Sequence, residues 1–200
     1  MITEGYVKFS VRLREADIES PDGLEALNSV RTKLFDLKMI GILPDGVGFG
    51  NVSIKVAGSD LFFISGTATG GKRILDLRDY CRVDTCSVER NEVCCSGRIR
   101  ASAETLSHDA VYRANPKIGC VIHVHHKPLF INLLKSTCPA TSPEAQYGTP
   151  EMAYDIEAIV KEKSEPHGIL VMTGHQDGVI AWGRTVAEAD NMLMNYFKQI

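Results

Sequence analysis

Three of the chain's six histidines lie within the stretch CVIHVHHKP, which spans Cys120–Pro128. The apolar residues before them predict a β-strand. On a strand, residues two apart point to the same face, so we expect His123 and His125 to point together and His126 to point the other way. Two imidazoles at this spacing can bind one metal ion through nitrogens about 2.0–2.1 Å from it. The alternative is that they line a polar rim and hydrogen-bond to the backbone.

A metal site built on this pair needs a further ligand, and His175 is the best candidate. It ends the apolar stretch GILVMTG and precedes an Asp-Gly turn, where a side chain can be held at the rim of a sheet. Glu104 lies in the first turn of a predicted helix that leads directly into the strand of His123. A glutamate there either serves as a general base beside the metal or stabilises the helix through its favourable interaction with the helix dipole. The local sequence alone favours the second interpretation.

A glycine-rich stretch, SGTATGGKR, occupies residues 65–73 and follows the predicted strand LFFIS. Gly66, Gly71 and Lys72 have the spacing of a phosphate-binding P-loop, but Arg73 stands where that motif needs Ser or Thr to hold Mg²⁺. No convincing amphipathic helix follows. The stretch therefore argues against nucleotide hydrolysis.

A simpler role in anion binding stays open for this stretch. Backbone N–H groups in its glycine turns, together with the hydroxyls of Ser65 and Thr67, can bind a phosphate or carboxylate. The amide of Asn51, in the second glycine-rich segment GFGNVS, can donate to the same anion. The alternative for both segments is ordinary turn chemistry.

The elements that must position these residues alternate between strand and helix patterns, with several strands joined by short turns. This order favours a sheet with substantial antiparallel content and helices on both faces. We expect one domain over residues 1–200, with an N-terminal strand at Tyr6–Leu13 inside an additional segment, residues 1–20. Helix starts are predicted at Ser20-Pro21-Asp22, Ser102, Thr149-Pro150 and Thr185, the last with a capping box completed by Glu188.

Composition narrows the function classes. A net charge of −3 over 200 residues gives no basic field suited to nucleic acid or to an anionic membrane. The sequence has no signal-peptide pattern and no apolar run of membrane-spanning length, so we expect a cytoplasmic protein. The six cysteines form no C-x-x-C pair and are interpreted as free structural thiols.

Taken in order, GNVS, a Ser-Gly turn, SAE followed by a histidine, HVHH and LVMTGHQDGVIAWG resemble the class II aldolase/adducin family. The resemblance runs from about Leu24 to Ile200. Over this range the chain is similar to the metal-dependent lyases of the L-fuculose-phosphate aldolase type. It implies a three-layer α/β/α sandwich around a mostly antiparallel sheet. It also implies a homotetramer with active sites near subunit interfaces.

The resemblance assigns roles to particular residues. His123, His125 and His175 match the family's metal ligands, and the metal is usually Zn²⁺, with Mn²⁺, Co²⁺ or Fe²⁺ as alternatives. Glu104 matches the catalytic acid/base. Four residues match the binding site for the substrate's phosphate: Asn51, Ser65, Gly66 and Ser102. No residue is matched to the catalytic tyrosine that the aldolases carry on a loop.

The function expected from this resemblance is C–C bond cleavage of a small hydroxy-carbonyl compound, expected to be a sugar phosphate, through a metal-stabilised enediolate. A dehydratase or decarboxylase on the same metal site is the first alternative. The second is a non-catalytic binding module like the adducin head domains, which lack the metal ligands. For both enzymatic interpretations, the expected binding partner is a small-molecule substrate.

Overall fold

The computed structural model describes residues 7–200 of the chain. Among these residues the strands are β1 (Ser10–Glu15), β2 (Gly41–Ile42), β3 (Gly48–Phe49), β4 (Asn51–Lys55), β5 (Phe62–Ser65), β6 (Tyr80–Ser87), β7 (Glu92–Gly97), β8 (Cys120–His125), β9 (Gly168–Met172) and β10 (Gly178–Gly183). The helices are α1 (Leu24–Asp36), α2 (Thr105–Ala114), α3 (Lys127–Leu134), α4 (Pro150–Lys163) and α5 (Val186–Phe197). A short 3₁₀ helix covers Leu77–Asp79.

Eight of these strands form one sheet in the order β1-β7-β6-β5-β4-β8-β10-β9. β1 lies parallel to β7, and every other neighbouring pair is antiparallel. The expectation of a mostly antiparallel sheet is therefore confirmed, with the refinement that the sheet is mixed. The parallel pair arises from the N-terminal strand, which runs over Ser10–Glu15; Tyr6, where the prediction began, lies outside the described residues.

Helices cover both faces of the sheet, which confirms the three-layer α/β/α prediction. One core cluster packs α2 and α4 against the sheet through residues such as Leu106 and Met152. The other packs α1, α3 and α5 through residues such as Leu27, Leu129 and Leu193. The two apolar faces explain why β8 is apolar at consecutive positions, since alternate side chains enter opposite clusters.

Two predicted helix starts have the expected hydrogen bonds. Thr149 caps α4 by accepting from the N–H of Met152. Thr185 caps α5 by accepting from the N–H of Glu188, but the Glu188 carboxylate accepts from the N–H of Arg184 and not from Thr185. The second half of the predicted capping box is therefore displaced by one residue.

Two other helix starts were wrong by a few residues. α1 begins at Leu24 after Gly23, which has a left-handed φ of 84°, so the Ser20-Pro21-Asp22 segment precedes the helix. The cap position of α2 is Glu104, two residues after Ser102. The Ser102 carbonyl instead accepts from the N–H and hydroxyl of Thr105 in a turn that leads into the helix.

The antiparallel register brings three chain segments to one end of the sheet. Asn51 at the start of β4 is paired with His123 near the end of β8. Gly178 at the start of β10 is paired with His125. The turn between β9 and β10, which carries His175, therefore lies beside the last residues of β8.

Candidate active site

Three imidazoles meet at this end of the sheet. One ligand atom from each of His123, His125 and His175 lies within 4.8 Å of the others. The Nε2 atoms of His123 and His125 are 3.1 Å apart. The ring centroid of His175 lies 5.1 Å from that of His123 and 4.5 Å from that of His125. The structure thus brings together the three histidines that the sequence grouped.

The strand geometry fixes which nitrogen of His123 faces the cluster. Its Nδ1 lies 3.2 Å from the carbonyl oxygen of Val179 on β10. A carbonyl oxygen only accepts hydrogen bonds, so Nδ1 carries the proton and Nε2 keeps its lone pair. That Nε2 is the atom beside His125. A backbone partner on the far nitrogen is the usual way in which proteins orient a metal-ligating histidine.

His126 points away from the cluster, as the alternation along the strand predicted. Its Nδ1 accepts from the N–H of Leu129 and so caps α3. Its ring also packs against Phe197, with the centroids 5.2 Å apart. His126 therefore has a structural position.

The turn between β9 and β10 holds His175 in place. The N–H of His175 donates to the carbonyl of Met172, and the N–H of Gly178 donates to the carbonyl of His175. A Cβ at position 178 would lie 2.6 Å from Cδ2 of His175. Glycine at this position is therefore needed for the imidazole to lie against the backbone of the turn.

Burial keeps the three imidazoles neutral. Removal from water lowers the pKa of His123 to about 4. Removal from water, followed by the neighbouring imidazoles, lowers the pKa values of His125 and His175 well below their ordinary value. Because metals bind the neutral form of imidazole, the cluster has the protonation state that a ligand set needs.

The geometry of the cluster also fits a divalent cation. Tetrahedral zinc with nitrogens at 2.0–2.1 Å places two ligand nitrogens about 3.3 Å apart, close to the 3.1 Å between the two Nε2 atoms. The buried Nδ1 of His175 has no hydrogen-bond partner among the residues that the structure describes. A buried polar atom in that state has a high free-energy cost unless a ligand supplies the partner.

Glu104 lies beside the histidines. Its side chain is buried, and its Oε2 accepts a hydrogen bond of 2.7 Å from the hydroxyl of Ser107. Its Oε1 lies 4.0 Å from Nε2 of His175. One carboxylate oxygen is therefore held by α2 while the other faces the imidazoles.

The opposite side of the pocket carries the predicted anion-binding residues. Asn51, Gly66 and Ser102 line it together with Thr67. The Nδ2 group of Asn51 donates to the hydroxyl oxygen of Ser102 over 3.0 Å, so these two polar side chains are held next to each other.

Ser65 has a different position from the other three predicted residues. Its hydroxyl oxygen accepts from the N–H of Val52 within the sheet, and its side chain is buried. It is not among the residues that line the pocket. Its contact supports the strand pair that carries Asn51 and Gly66.

Sequence reasoning missed an aromatic wall of the pocket. Tyr147 is buried, with its ring centroid 4.7 Å from that of His175. The ammonium of Lys8 lies 3.9 Å from the same ring centroid and donates to Gln146. Tyr147 lies between α3 and α4, where no periodic pattern marks a residue as buried, so its position could not be predicted from local sequence.

The pocket between the histidines and the glycine-rich loop has a volume of about 230 Å³. This lies below the range of about 300–1,000 Å³ that is typical of sites for drug-sized ligands. The pocket therefore suits a small polar metabolite. We call the part lined by the imidazoles and Glu104 the histidine end, and the part lined by Asn51, Ser102 and the glycine-rich loop the loop end.

Residues 45–196 match the family model described as the Class II Aldolase and Adducin N-terminal domain. A methylthioribulose-1-phosphate dehydratase from Leptospira borgpetersenii is 32% identical, over 82% of this chain and 79% of that protein. One of the same name from Leptospira interrogans is 35% identical over 50% of this chain. That match covers only 41% of the relative's own length.

Among solved structures, the L-fuculose-1-phosphate aldolase of Thermus thermophilus has a similar fold. The TM-score is 0.65 at 20% sequence identity, and the match covers 87% of this chain and 88% of that one. At this identity the likeness concerns the fold. Within residues 7–200, no helix combines the length and apolar character needed to cross a bilayer.

Proposed function

The chain belongs to the class II aldolase and adducin family, and on that basis we propose that it is a metal-dependent lyase that removes water from a small phosphorylated hydroxy-ketone. The observation that carries this proposal is the convergence of His123, His125 and His175 in the same pocket as the carboxylate of Glu104. A non-catalytic module of the adducin type has no use for such a ligand set.

The three histidines would hold the cation, with Zn²⁺ as the expected ion and Mn²⁺, Co²⁺ or Fe²⁺ as alternatives. Three neutral imidazoles leave the full charge of the ion and an open coordination position. The bound ion supplies a Lewis acid that withdraws electron density from a carbonyl oxygen of the substrate.

Glu104 would move the proton. Dehydration of a hydroxy-ketone requires removal of a proton from the carbon next to the carbonyl and delivery of a proton to the departing hydroxyl. The hydrogen bond from Ser107 to Oε2 orients the carboxylate, and Oε1 faces the histidines. A positioned carboxylate of this kind typically contributes about 10²–10⁴-fold to the rate of proton transfer.

The other end of the pocket would hold the phosphate. Asn51 and Ser102 offer an amide and a hydroxyl. The N–H of Gly66 donates to the carbonyl of Asp79, so the loop would contribute the N–H groups of the residues that follow. Phosphate is bound well by such groups because several donors converge on one charged acceptor. Ser65 would contribute through the backbone that it supports.

Dehydration is preferred to C–C cleavage because of the sequence relatives. The Leptospira borgpetersenii protein, which the chain matches over most of its length, is named for dehydration of methylthioribulose-1-phosphate. We propose a substrate of that class for this chain. Retro-aldol cleavage, expected first from the sequence, remains the competing reaction that an experiment must distinguish.

We also propose that the protein acts as a homotetramer with active sites near subunit interfaces, as the family resemblance implies. Light scattering on the purified protein tests this, and a monomer with full activity would contradict it.

Product analysis tests the reaction. Zinc-loaded protein is incubated with methylthioribulose-1-phosphate, and the products are identified by mass spectrometry alongside an aldehyde-release assay. We expect a single product lighter by one water and no aldehyde. Release of an aldehyde with a shorter phosphorylated fragment would support cleavage, and neither product would contradict the proposed substrate class.

A further inference from the structure

The glycine-rich loop is held from beneath by Arg31 on α1. The guanidinium is buried, at 1% exposure. Its Nη1 donates to the carbonyls of Lys72 and Arg73, the second over 2.9 Å. Its Nη2 donates to the carbonyls of Thr69 and Gly70 over 2.9 and 3.4 Å. One side chain therefore binds four backbone carbonyls of the loop, two on each side of Gly71.

A buried guanidinium is costly unless its donors are satisfied. Among the residues that the structure describes, the hydrogen-bond partners of these donors are backbone carbonyls and not carboxylates. A structural role alone would be served by an ion pair, in which the charge of Arg31 is cancelled. Arg31 instead keeps its charge and turns the loop's carbonyl groups toward itself.

The carbonyls that face Arg31 leave several N–H groups of the loop without a partner. Among the residues that the structure describes, the N–H groups of Ala68, Thr69 and Gly70 have no hydrogen-bond acceptor. All three residues line the pocket. Ala68 adopts a left-handed φ of 58°, which is strained for a non-glycine residue and needs support from its surroundings.

The charges around the loop favour an anion. Lys72 pairs with Asp79, and Arg73 pairs with Asp36 at the surface. Asp79 also interacts electrostatically with Arg31, so the three cations and two carboxylates of this group leave a net charge of +1 around the loop. The other end of the pocket carries the Glu104 carboxylate, which would repel an anion bound there.

We propose that Arg31 is a positioning residue for phosphate recognition: it orients the loop through the four carbonyls and contributes positive charge behind the N–H groups of Ala68, Thr69 and Gly70. Arg31 does not touch the substrate. This inference rests on the proposed function, since it takes the substrate to be phosphorylated. Arg31 precedes the segment that the family model matches, residues 45–196.

The test measures binding of inorganic phosphate to the zinc-loaded protein by titration calorimetry, which needs no turnover. Arg31→Met removes the charge and the hydrogen-bond donors. Arg31→Lys keeps the charge but loses the planar guanidinium, whose two NH₂ groups contact the four carbonyls. Arg73→Gln is the matched control, because it removes a positive charge from the same loop at the exposed surface. Zinc content and thermal melting establish that each variant is folded.

We expect phosphate to bind at least about 10-fold more weakly to Arg31→Met and about 3-fold more weakly to Arg31→Lys, since charge-assisted hydrogen bonds are lost. Arg73→Gln should stay within about 2-fold of wild type, as is usual for exposed charges. Binding of acetohydroxamic acid, a zinc chelator without a phosphate group, should be unchanged in all of them. That pattern separates phosphate positioning from a general loss of structure.

Wild-type phosphate affinity in a folded Arg31→Met protein would overturn the proposal. If Arg31→Met does not fold, an unchanged affinity in Arg31→Lys overturns it. An equal loss of hydroxamate and phosphate binding would assign Arg31 a purely structural role and also overturn it. A chain that lacks dehydratase activity but shows the expected pattern would contradict the proposed reaction and leave the role of Arg31 intact.

Discussion

The two ends of the pocket are built in different ways. At the histidine end, His123 and His125 lie on the regular strand β8 and His175 lies in a short turn between two strands. At the loop end, the backbone of residues 66–73 is mostly irregular and is held by the side chain of Arg31, some forty residues earlier in the chain.

This difference also appears in the electrostatics. Burial makes the histidines neutral, so that end binds a cation through the lone pairs of the imidazoles, beside the carboxylate of Glu104. The loop end keeps the positive charge of a buried guanidinium. The pocket thus has a cation site at the histidine end and the Arg31 guanidinium behind the loop end. This arrangement suits a substrate with a neutral reacting group and an anionic group, such as a phosphate, bound at the loop.

The largest effect is expected from removing one imidazole. His123→Ala deletes a ligand and should lower both bound zinc and turnover by more than about 100-fold, since even the partners behind metal ligands contribute 10–100-fold. Elemental analysis after dialysis measures the metal. His126→Asn is the control, because it keeps a capping group on α3 and leaves the cluster intact. Stoichiometric zinc in His123→Ala would exclude it as a ligand.

The next largest effect is expected from Glu104→Gln, which tests proton transfer separately from metal binding. Glu104→Gln keeps the size of the side chain and should lower kcat by at least about 10²-fold while the zinc content is unchanged. Steady-state kinetics with metal analysis on the same sample measures both. A matched Glu144→Gln variant, which changes an exposed carboxylate outside the pocket lining, should have wild-type kcat. Undiminished turnover in Glu104→Gln would assign the proton transfer to another group.

A smaller effect is expected at the aromatic wall. Tyr147→Leu removes the ring that packs between Lys8 and His175, so zinc affinity should fall by about 10-fold, as for other groups that support a ligand. Tyr147→Phe keeps the ring and should retain the affinity. A competition titration with a chelator measures both. Equal weakening in the two variants would assign the effect to the hydroxyl and not to ring packing.

The smallest effect concerns the pH dependence of stability. His108 is buried behind the site, with Nδ1 2.7 Å from the Ser53 hydroxyl, and burial lowers its pKa well below the ordinary value of 6.5. The unfolded chain takes up a proton at His108 below about pH 6.5 while the folded chain does not, so acid favours unfolding. Between pH 7.5 and 5.5 this lowers the free energy of unfolding by about 1 kcal/mol.

His108→Gln tests this dependence, since glutamine can keep a hydrogen bond to Ser53 but does not titrate. Urea denaturation at the two pH values should show an acid loss smaller than in wild type by about 1 kcal/mol. An identical acid loss in both proteins would place the titration elsewhere.

The comparison of the two ends also explains what the sequence could predict. The period of two on β8 identified His123 and His125 as a pair and set His126 apart, because strand alternation is a local rule. His175 could be proposed since it follows an apolar strand. The sheet and its two helical layers were also predictable, because the apolar periodicity of each strand or helix lies within that one element.

The remaining features depend on contacts between distant segments. The position of Tyr147 follows from how the connection between α3 and α4 packs on His175, and the role of Arg31 follows from how α1 packs beneath the loop. Ser65 was predicted beside the phosphate, yet its hydroxyl faces Val52 within the sheet. In each case the tertiary arrangement, and not the local residue pattern, determines where the polar group points.

X-ray absorption at the zinc edge of the zinc-loaded protein tests the central claim most directly. We expect the outer-shell scattering of three imidazoles, with their nitrogens at about 2.0–2.1 Å, and no sulfur at about 2.3 Å. Fewer than three imidazoles, or a cysteine sulfur in the coordination shell, would contradict the three-histidine centre on which the proposed reaction depends.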